Sequence, residues 1–303
     1  MTKILVSGLI NIETTLRVES FPIPYFPVRY PFFGIESSVS GVGYNIAKAL
    51  TRLGDTVDFL SLIGSDPLGG LVRAALQRDR IPDPNVLATL EQTAQSVILY
   101  DGEGRRQINV DLKNVQEAAY PEARFKAAIH HSDVLVLCNI NFSRPFLEPA
   151  RRSGKLVATD VHAISSLDDP YNTDFMKAAH ILFMSHEWLV DTPEEWARKV
   201  WRRYSPEVLV ITLGQDGALL AVKKDNAIER VPAAATRPVV NTIGAGDALF
   251  SAFLHVYTQT QDPYLALRKA AVFASYKIGA VSASDGFLDE AGLEEWFEKT
   301  RQG

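Results

Sequence analysis

The sequence predicts an α/β protein with a mainly parallel central sheet, because short apolar runs alternate with segments of helical periodicity. Apolar runs of this length are typical of strands that helices cover on both faces. The predicted strands are residues 4–6, 57–63, 134–140, 156–159, 180–184 and 208–213. The predicted helices are residues 45–53, 194–204 and 264–278, and Gly54 ends the first of them as a C-terminal cap.

Two regions interrupt this alternation. Residues 96–112 contain two strand-like runs around Asp101-Gly102, which predicts a β-hairpin. Residues 21–33 hold four prolines and six aromatic residues, too apolar a composition for a flexible linker. This aromatic segment is expected to cover a ligand or another subunit, or else to pack on the core of its own chain.

Composition narrows the class of protein. The chain has 303 residues and a formal net charge of -5, so we expect one domain spanning residues 1–303 and no nucleic-acid partner. No apolar run approaches the ~18 residues of a membrane span, and no signal peptide is recognisable, so we expect a cytoplasmic protein without a membrane partner. The single cysteine, Cys138, is predicted to be a buried strand residue without a disulfide.

The stretch VVNTIGAGDALFSAFL, residues 239–254, places Gly244, Ala245 and Gly246 directly before Asp247 and an apolar helical pattern. The first N–H groups of a helix lack internal partners and carry partial positive charge, and glycines let an anion approach them. A phosphate is therefore the expected ligand. An acid on the same turn would repel that phosphate unless it accepts a proton from an attacking hydroxyl. The alternative is that Asp247 only caps the helix.

Two other glycine turns accompany this one. In residues 208–220 a strand ends at Thr212 and is followed by Gly214 and Gly217. Open α/β sheets bind ligands at the carboxyl ends of their strands, although a simple turn would have the same composition. In residues 38–54, Gly41 and Gly43 precede Asn45 and a helix. This is not a dinucleotide-binding fingerprint, because Ile46 occupies the third glycine position, and the chain contains no P-loop motif.

Residues 9–22, 40–70, 212–217 and 241–254 together resemble, in this order, the motifs of the ribokinase-like (PfkB) carbohydrate kinase family. The resemblance implies a three-layer α/β/α sandwich with a mainly parallel sheet and a small β lid, here from residues 11–39 and 89–112. It also implies ATP-dependent transfer of the γ-phosphoryl group to a hydroxymethyl group, with Mg²⁺ as the metal.

The resemblance implies roles for individual residues by motif position. Asp247 would be the catalytic base, and the N–H groups of Gly244, Ala245 and Gly246 would stabilise charge on the phosphoryl oxygens. The residues implied to bind the nucleotide are Ser185, Thr212, Gly214, Gly217 and Gly246. The residues implied to bind the acceptor are Asn11, Glu13, Gly41, Gly43, Asn45, Asn141 and Asp247.

The chain departs from the family pattern at four places, one of which is Ala271, where ribokinases have a polar residue on the helix facing the nucleotide. Asn11-Ile12-Glu13 stands where ribokinases have Asn-x-Asp, so the acceptor carboxylate is one methylene longer. Ser185-His186-Glu187-Trp188 replaces the usual Asn-x-x-Glu near the magnesium ion, so Glu187 is expected to approach the metal one residue early, or water to fill its coordination shell. Asn241 replaces an Asp of the last motif, which weakens the inference of a monovalent-cation site.

The acceptor remains open between a free sugar and a nucleoside. Asn11, Glu13, Asn45 and Asn141 would suit the hydroxyl groups of a sugar. Residues 41–47 also resemble pseudouridine kinases, and Tyr44 with the aromatic segment would then form a wall against the base. The aromatic segment could instead form the contact of a homodimer. We favour a sugar kinase over a nucleoside kinase, and either over a non-catalytic binding protein with the same fold.

Overall fold

The apolar runs of the sequence form the strands of the computed structural model, which describes residues 2–302. The strands are, in chain order, β1 (Lys3–Ser7), β2 (Asn11–Arg17), β3 (Ile35–Ser40), β4 (Thr56–Gly64), β5 (Val86–Leu90), β6 (Gln95–Tyr100), β7 (Arg106–Asp111), β8 (Val134–Leu137), β9 (Leu156–Ala163), β10 (Ile181–Ser185), β11 (Val208–Thr212), β12 (Ala218–Val222) and β13 (Ala227–Val231).

Nine strands form a central sheet in the order β13-β12-β11-β10-β9-β8-β1-β4-β5. All neighbouring strands from β5 to β11 pair in parallel, and β12 and β13 add an antiparallel edge. The carboxyl ends of the parallel strands therefore lie at one edge of the sheet, where open α/β sheets bind their ligands.

Helices cover both faces of this sheet. The helices are α1 (Val42–Leu53), α2 (Pro67–Arg78), α3 (Glu122–His131), α4 (Leu147–Arg152), α5 (Thr173–Ala178), α6 (Pro193–Arg203), α7 (Ala245–Thr260), α8 (Pro263–Lys277) and α9 (Glu290–Gln302). Successive strand residues enter different cores: Ile4 and Val6 pack with α1, α2, α7 and α8, whereas Leu5 packs with α3 to α6. The predicted three-layer α/β/α architecture is confirmed.

The four remaining strands form a second sheet in the order β3-β2-β6-β7. It is built from the two regions predicted as a lid, residues 11–39 and 89–112. The predicted hairpin is present between β6 and β7, where Asp101 Oδ1 accepts hydrogen bonds from the N–H groups of Glu103 and Arg105, each at 3.0 Å. These bonds fix the turn because they satisfy two main-chain donors that the ladder leaves free.

The aromatic segment, residues 21–33, connects β2 to β3 and does not pack on the core of its own chain. Tyr25, Tyr30, Phe32 and Phe33 are between 76% and 108% exposed. Of the alternatives for this segment, packing on its own core is wrong. Such a cluster of exposed aromatic side chains is typical of a binding surface.

Several predicted boundaries differ from the structure, and two of these differences concern Gly43 and Cys138. Helix α1 begins at Val42 and not at residue 45, so Gly43 lies inside the helix instead of before it. The strand predicted at 134–140 ends at Leu137, because the chain then turns and the N–H of Ile140 bonds to the carbonyl of Cys138. Cys138 is buried as expected but lies just beyond the strand. No helix within residues 2–302 is long and apolar enough to cross a membrane.

The early start of α1 depends on Gly43, which lies against Gly8. A Cβ atom at Gly43 would come within 2.5 Å of the carbonyl carbon of Gly8, so α1 approaches the end of β1 more closely than any side chain allows. This approach sets the position of Asn45, which lies two residues further along the helix. Gly43 therefore shapes the site through packing.

Substitution of Gly43 by Ala is expected to lower the free energy of unfolding by about 2–3 kcal/mol, because the contact with Gly8 is between main chains and cannot relax easily. Gly70→Ala is the matched control, since a Cβ atom there meets nothing within 4 Å in α2. That variant should be more stable by about 0.5–1 kcal/mol. Urea unfolding of both variants makes the comparison, and equal effects would contradict the packing role of Gly43.

Candidate active site

The glycine turn of residues 244–246 begins helix α7 at the carboxyl edge of the sheet. Gly244 has φ 75°, and a Cβ atom there would lie 2.5 Å from the carbonyl oxygen of Ala283. Gly246 is exposed, and a Cβ atom there would meet nothing within 4 Å. Gly244 is thus required by close packing behind the turn, whereas Gly246 leaves open space in front of it. The N–H of Ala245 bonds to the carbonyl of Thr242 at 3.3 Å, whereas those of Gly244 and Gly246 have no main-chain partner among the described residues. Unpaired N–H groups at a helix start form a site for an anion.

Asp247 lies in the first turn of α7 and is half-buried. Burial raises the pKa of its carboxyl group to about 6, while a hydrogen bond from Asn45 and the nearby side chains of His162 and Lys277 act in the opposite direction. Asn45 Nδ2 donates to Asp247 Oδ2 at 2.7 Å. The side chain of Asp247 therefore does not cap the helix but faces α1. A carboxylate with a pKa just below neutral is well matched to accept a proton.

Asn45 connects Asp247 to Glu13 through Ser40. The hydroxyl of Ser40 lies 3.0 Å from Glu13 Oε2 and 3.2 Å from Asn45 Oδ1. Since that hydroxyl has one hydrogen, it bonds to one of the two oxygens at a time. Burial raises the pKa of Glu13, opposed by the hydrogen bond from Ser40, by the nearby main chain of Ala283 and by the charge of Lys277. The predicted acceptor residues Glu13 and Asn45 are thus brought together with Asp247.

Two buried oxygens in this region have no hydrogen-bond partner among the described residues: Asn11 Oδ1 and Glu13 Oε1. Asn11 is 3% exposed and Glu13 is 5% exposed, so neither oxygen is in bulk water. Asn11 Nδ2 is held by the hydroxyl of Ser96 at 3.0 Å, which leaves its carbonyl oxygen to accept. Buried acceptors without donors are rare, and together they fit the hydroxyl groups of a ligand.

The residues predicted to bind the nucleotide lie at the ends of two neighbouring strands. Ser185 pairs with Thr212 across β10 and β11. Gly214, with φ 62°, begins a short 3₁₀-helix, and Gly217 has φ 93°. A Cβ atom at Gly217 would lie 2.1 Å from the carbonyl oxygen of Val231, so this glycine is required by its contact with β13. Ser185 and Thr212 therefore lie at the same edge of the sheet as the glycine turn.

Asn141 stands apart from the acceptor residues. Its Nδ2 donates to the carbonyl of Gln116 at 3.0 Å, and its Oδ1 accepts from Arg144 at 3.4 Å. Both ends of its amide are therefore satisfied within the protein. The structure shows no hydrogen bond between Asn141 and the chain of contacts from Glu13 to Asp247.

Arg106, at the start of β7, is a site residue that the sequence did not reveal. Its guanidinium donates to Thr242 Oγ1 at 2.9 Å and to Glu187 Oε1 at 3.3 Å. It thus reaches from the second sheet to the segment before the glycine turn. An arginine in this position suits the recognition of phosphate oxygens. Its only signal in the sequence is a place in the hairpin beside Arg105, which pairs instead with Asp101.

Glu187, the predicted metal ligand, is half-exposed and forms this ion pair with Arg106. Within residues 2–302 no group of three or more His, Cys, Asp or Glu side chains is arranged to hold a metal by itself. Magnesium in phosphoryl-transfer enzymes is commonly held by one or two carboxylates, with substrate phosphates and water as the other ligands. Glu187, a single carboxylate near the glycine turn, fits that arrangement.

Tyr44 cannot form the predicted wall against a nucleoside base. It belongs to α1 and is completely buried, and its hydroxyl donates to Asp79 Oδ2. The interpretation of Tyr44 as a stacking residue is therefore wrong. Its place in a helical apolar pattern beside Ile46 and Ala47 is explained by core packing.

A half-buried carboxylate next to a glycine turn, together with unsatisfied acceptors for hydroxyl groups, is the arrangement expected of a phosphotransferase that acts on an alcohol. The sequence profile described as pfkB family carbohydrate kinase matches residues 1–290. The chain belongs to this family, and it is a kinase of a sugar hydroxyl.

Individual relatives agree with this assignment. The chain is similar to an acarbose 7(IV)-phosphotransferase of Actinoplanes sp., with 28% identity over 96% of this chain and 97% of that protein. It is similar to the ribokinase of Lactococcus lactis, with 24% identity over 94% of each chain. Among solved structures, a microbiome-derived acarbose kinase superposes with a TM-score of 0.88 and 26% identity, covering 98% of this chain and 99% of that one.

Substitution of Asp247 by Asn is expected to stabilise the fold at neutral pH. The pKa of an ordinary aspartate is 3.8, whereas that of Asp247 in the folded protein is about 6. Ionisation of this carboxyl group therefore destabilises the fold increasingly above about pH 4 and fully above about pH 6. The gain should reach at most about 3 kcal/mol, reduced by solvent screening, and should vanish below about pH 4, where both states are protonated.

Thermal unfolding at about pH 4 and about pH 7.5 measures this difference. Glu117→Gln, which removes an exposed carboxylate, is the control and should leave the melting temperature unchanged at both values. A variant at Asp247 that melts lower at the higher pH would show that its carboxylate is not destabilised by burial.

Proposed function

We propose that the chain transfers the γ-phosphoryl group of ATP to a hydroxymethyl group of a sugar, with Asp247 as the base. The observation that carries this proposal is the hydrogen-bonded series Asp247, Asn45, Ser40 and Glu13, which ends in the unpaired Glu13 Oε1. The series joins a proton acceptor to an acceptor for ligand hydroxyl groups. A ligand bound by Glu13 and Asn11 would thus present a neighbouring hydroxyl to Asp247.

The chemical step then needs few groups. The acceptor hydroxyl loses its proton to the carboxylate of Asp247, and its oxygen forms a bond to the γ-phosphorus while the bond from that phosphorus to the oxygen of ADP breaks. The N–H groups of Gly244 and Gly246 stabilise the charge on the transferred group, joined by that of Ala245 once it leaves the carbonyl of Thr242. Since the pKa of Asp247 is about 6, it is mostly ionised at neutral pH and ready to accept the proton.

The nucleotide would lie between the glycine turn and the turn of residues 212–217, with Ser185, Thr212 and Gly214 as contacts. Magnesium would neutralise the phosphate charge, with Glu187 as its protein ligand. Glu187 must then leave Arg106, and Arg106 becomes free to bind a phosphate oxygen. This exchange of partners would couple nucleotide binding to the position of β7.

The second sheet would act as the lid of one kinase domain spanning residues 1–303. Glu13, Ser96 and Val110 are paired neighbours across β2, β6 and β7, so they share the face that carries the acceptor residues. Ile108, two residues from Val110, lies on the same face, and these two side chains are 51% and 49% exposed. Closure of this face over the acceptor would exclude water from the transferred group.

This face combines hydroxyl-binding groups with exposed apolar side chains, which favours an acceptor that has both polar and apolar surfaces. Sugars and their glycosides have this character, because their ring faces are apolar and their edges carry hydroxyl groups. The similarity to two acarbose-phosphorylating enzymes supports a sugar larger than a free pentose. No stacking residue replaces Tyr44 among the described acceptor residues, so a nucleoside is not favoured.

A screen of acceptors tests the proposed function. ADP release from ATP and magnesium is measured with acarbose, maltotriose, fructose, ribose and inosine, and the phosphorylated product is identified by mass. We expect the highest kcat/KM with one of the larger sugars and little ADP release without acceptor, because the lid closes only over a bound sugar. Equal ADP release with and without every acceptor would contradict a sugar kinase.

The Asp247→Asn variant is the negative control for this screen. It should bind nucleotide as the original protein does but lose kcat by about 10³-fold, since general-base catalysis contributes in this range. The original enzyme should lose kcat/KM below about pH 6, tenfold for each further pH unit, because the base becomes protonated. Near-normal turnover in the variant would rule out Asp247 as the base.

Glu13→Gln should raise the KM for the sugar at least about tenfold while changing the KM for ATP little, because it replaces an acceptor oxygen by a donor amide. Steady-state kinetics with each substrate varied in turn measures the two effects. Glu36→Gln, on the neighbouring strand β3 and exposed, is the matched control. Parallel increases in both KM values would place Glu13 outside the acceptor site.

The exposed aromatic segment favours a homodimer formed through the lid. Tyr30 and Phe32 stack with their ring centres 6.3 Å apart and present a joint apolar surface beside Ile35, which is 59% exposed. Light scattering should give twice the chain mass at micromolar concentration, and Phe32→Ser with Phe33→Ser should give a monomer, because the apolar contact is lost. A monomeric original protein would contradict this arrangement.

A further inference from the structure

Lys277, the last residue of α8, is a completely buried lysine directly behind the glycine turn. Its ammonium donates hydrogen bonds to two main-chain carbonyls, that of Ile243 and, at 3.0 Å, that of Ser282. Ile243 is the residue before Gly244, and Ser282 lies in the loop of residues 281–284. The ammonium therefore joins the glycine turn to this loop.

Other contacts hold the same two segments together. Asn241 Nδ2 donates to the carbonyl of Val281 at 2.6 Å, and Gly244 lies against Ala283. The loop also reaches strand β3 of the lid, where Ser284 Oγ donates to the carbonyl of Val39 at 2.8 Å. The glycine turn, the loop and the lid strand thus form one connected unit with Lys277 at its centre.

The bond to Ile243 determines where an N–H group of the glycine turn points. The carbonyl of Ile243 and the N–H of Gly244 belong to one planar trans peptide group, so they point in opposite directions. Because the ammonium binds the carbonyl, the N–H of Gly244 is directed away from Lys277. That N–H is one of the groups that would bind the transferred phosphoryl group.

The surroundings keep the ammonium charged despite its burial. Burial lowers the pKa of Lys277 to about 8, and the carboxylates of Glu13, Asp247 and Asp285 oppose this effect. At neutral pH most of the molecules therefore carry a positive charge here. Main-chain carbonyls with nearby carboxylates also form the environment that binds monovalent cations, whose ligands are oxygen atoms.

We propose that Lys277 is a tethered cation that positions the glycine turn in the place of a free monovalent ion, so that the kinase is active without potassium or sodium. An ion bound by the carbonyls of Ile243 and Ser282 would have to displace the lysine side chain. The presence of Asn241 supports this proposal, because its side chain is a neutral amide, whereas a free cation would favour a carboxylate at this position. The inference rests on the proposed role of the glycine turn in binding the transferred group.

The original enzyme provides the first test. Its kcat is measured in choline, sodium, potassium and ammonium chloride at one ionic strength, and we expect values within about twofold of one another, because screening is the same in all four salts. A clear increase, about fivefold or more, in potassium or ammonium would overturn the proposal. This test needs no variant and is independent of whether a variant folds.

Two substitutions provide the second test. Lys277→Ala removes the ammonium and leaves space, whereas Lys277→Met removes the charge and keeps most of the volume. Both should lose kcat by about 100-fold, the effect of a misdirected stabilising N–H group. Ammonium chloride should restore at least about tenfold to the alanine variant and nothing to the methionine variant, since only the former has room for the ion. Lys269→Met, on the same helix but paired with Glu294 of α9, should keep the kcat of the original enzyme in all four salts.

The outcomes separate this inference from the proposed function. If no acceptor is phosphorylated, the proposed function fails, and the affinity for a non-hydrolysable ATP analogue, measured by calorimetry, still tests Lys277. The alanine variant should bind the analogue more weakly in choline and recover in ammonium. A purely structural lysine would lower the melting temperature of both variants without creating any dependence on ammonium. That result would overturn the role of Lys277 as a tethered cation.

Discussion

The direction of a few peptide groups at the start of α7 governs the chemistry of this site. For the proposed phosphoryl transfer, the turn must present N–H groups to a phosphate while an acidic side chain of the same turn remains available as a carboxylate. Gly244 meets the first condition, because its positive φ and its contact with Ala283 direct the backbone. Asn45 meets the second, because its hydrogen bond to Asp247 partly offsets the burial that raises the pKa of that carboxyl.

The rest of the fold places these groups. Strands β10 and β11 end beside each other with Ser185 and Thr212 at the carboxyl edge of the sheet, which is where the glycine turn lies. Helix α1 brings Asn45 to Asp247, and its close approach to β1 is possible because Gly8 and Gly43 have no side chains. The second sheet adds Glu13 and Asn11 from β2. Strands β2, β10 and β11, helix α1 and the glycine turn thus meet at one small region, and close main-chain contacts at Gly43 and Gly244 position two of them.

Much of this arrangement could be predicted from local patterns. The alternation of apolar strands and helices predicted the layers, because burial on both sheet faces produces continuous apolar runs. Asp247, Asn45 and Glu13 were predicted as site residues, and the structure brings them together. The start of α1 was not predicted, because Gly43 disfavours a helix locally and is placed in one by its contact with Gly8. Tertiary contact overrode propensity there.

The site residues that the sequence did not reveal depend on long-range contacts. Arg106 lies in a polar hairpin, and its partners Thr242 and Glu187 are 136 and 81 residues away in the chain. Lys277 ends an apolar helix and looks like an ordinary basic residue of a last helical turn, which the dipole favours. For Tyr44 the error was the reverse. The sequence suggested that this aromatic residue beside two glycines contacts a ligand, but its side chain is buried in the core.

A crystal structure with a non-hydrolysable ATP analogue, magnesium and a sugar acceptor would test the central claim most directly. The account predicts that the terminal phosphate contacts the N–H groups of residues 244–246 and that an acceptor hydroxyl lies within hydrogen-bonding distance of the Asp247 carboxylate. A terminal phosphate bound elsewhere, or an acceptor whose hydroxyl groups face away from Asp247, would contradict it.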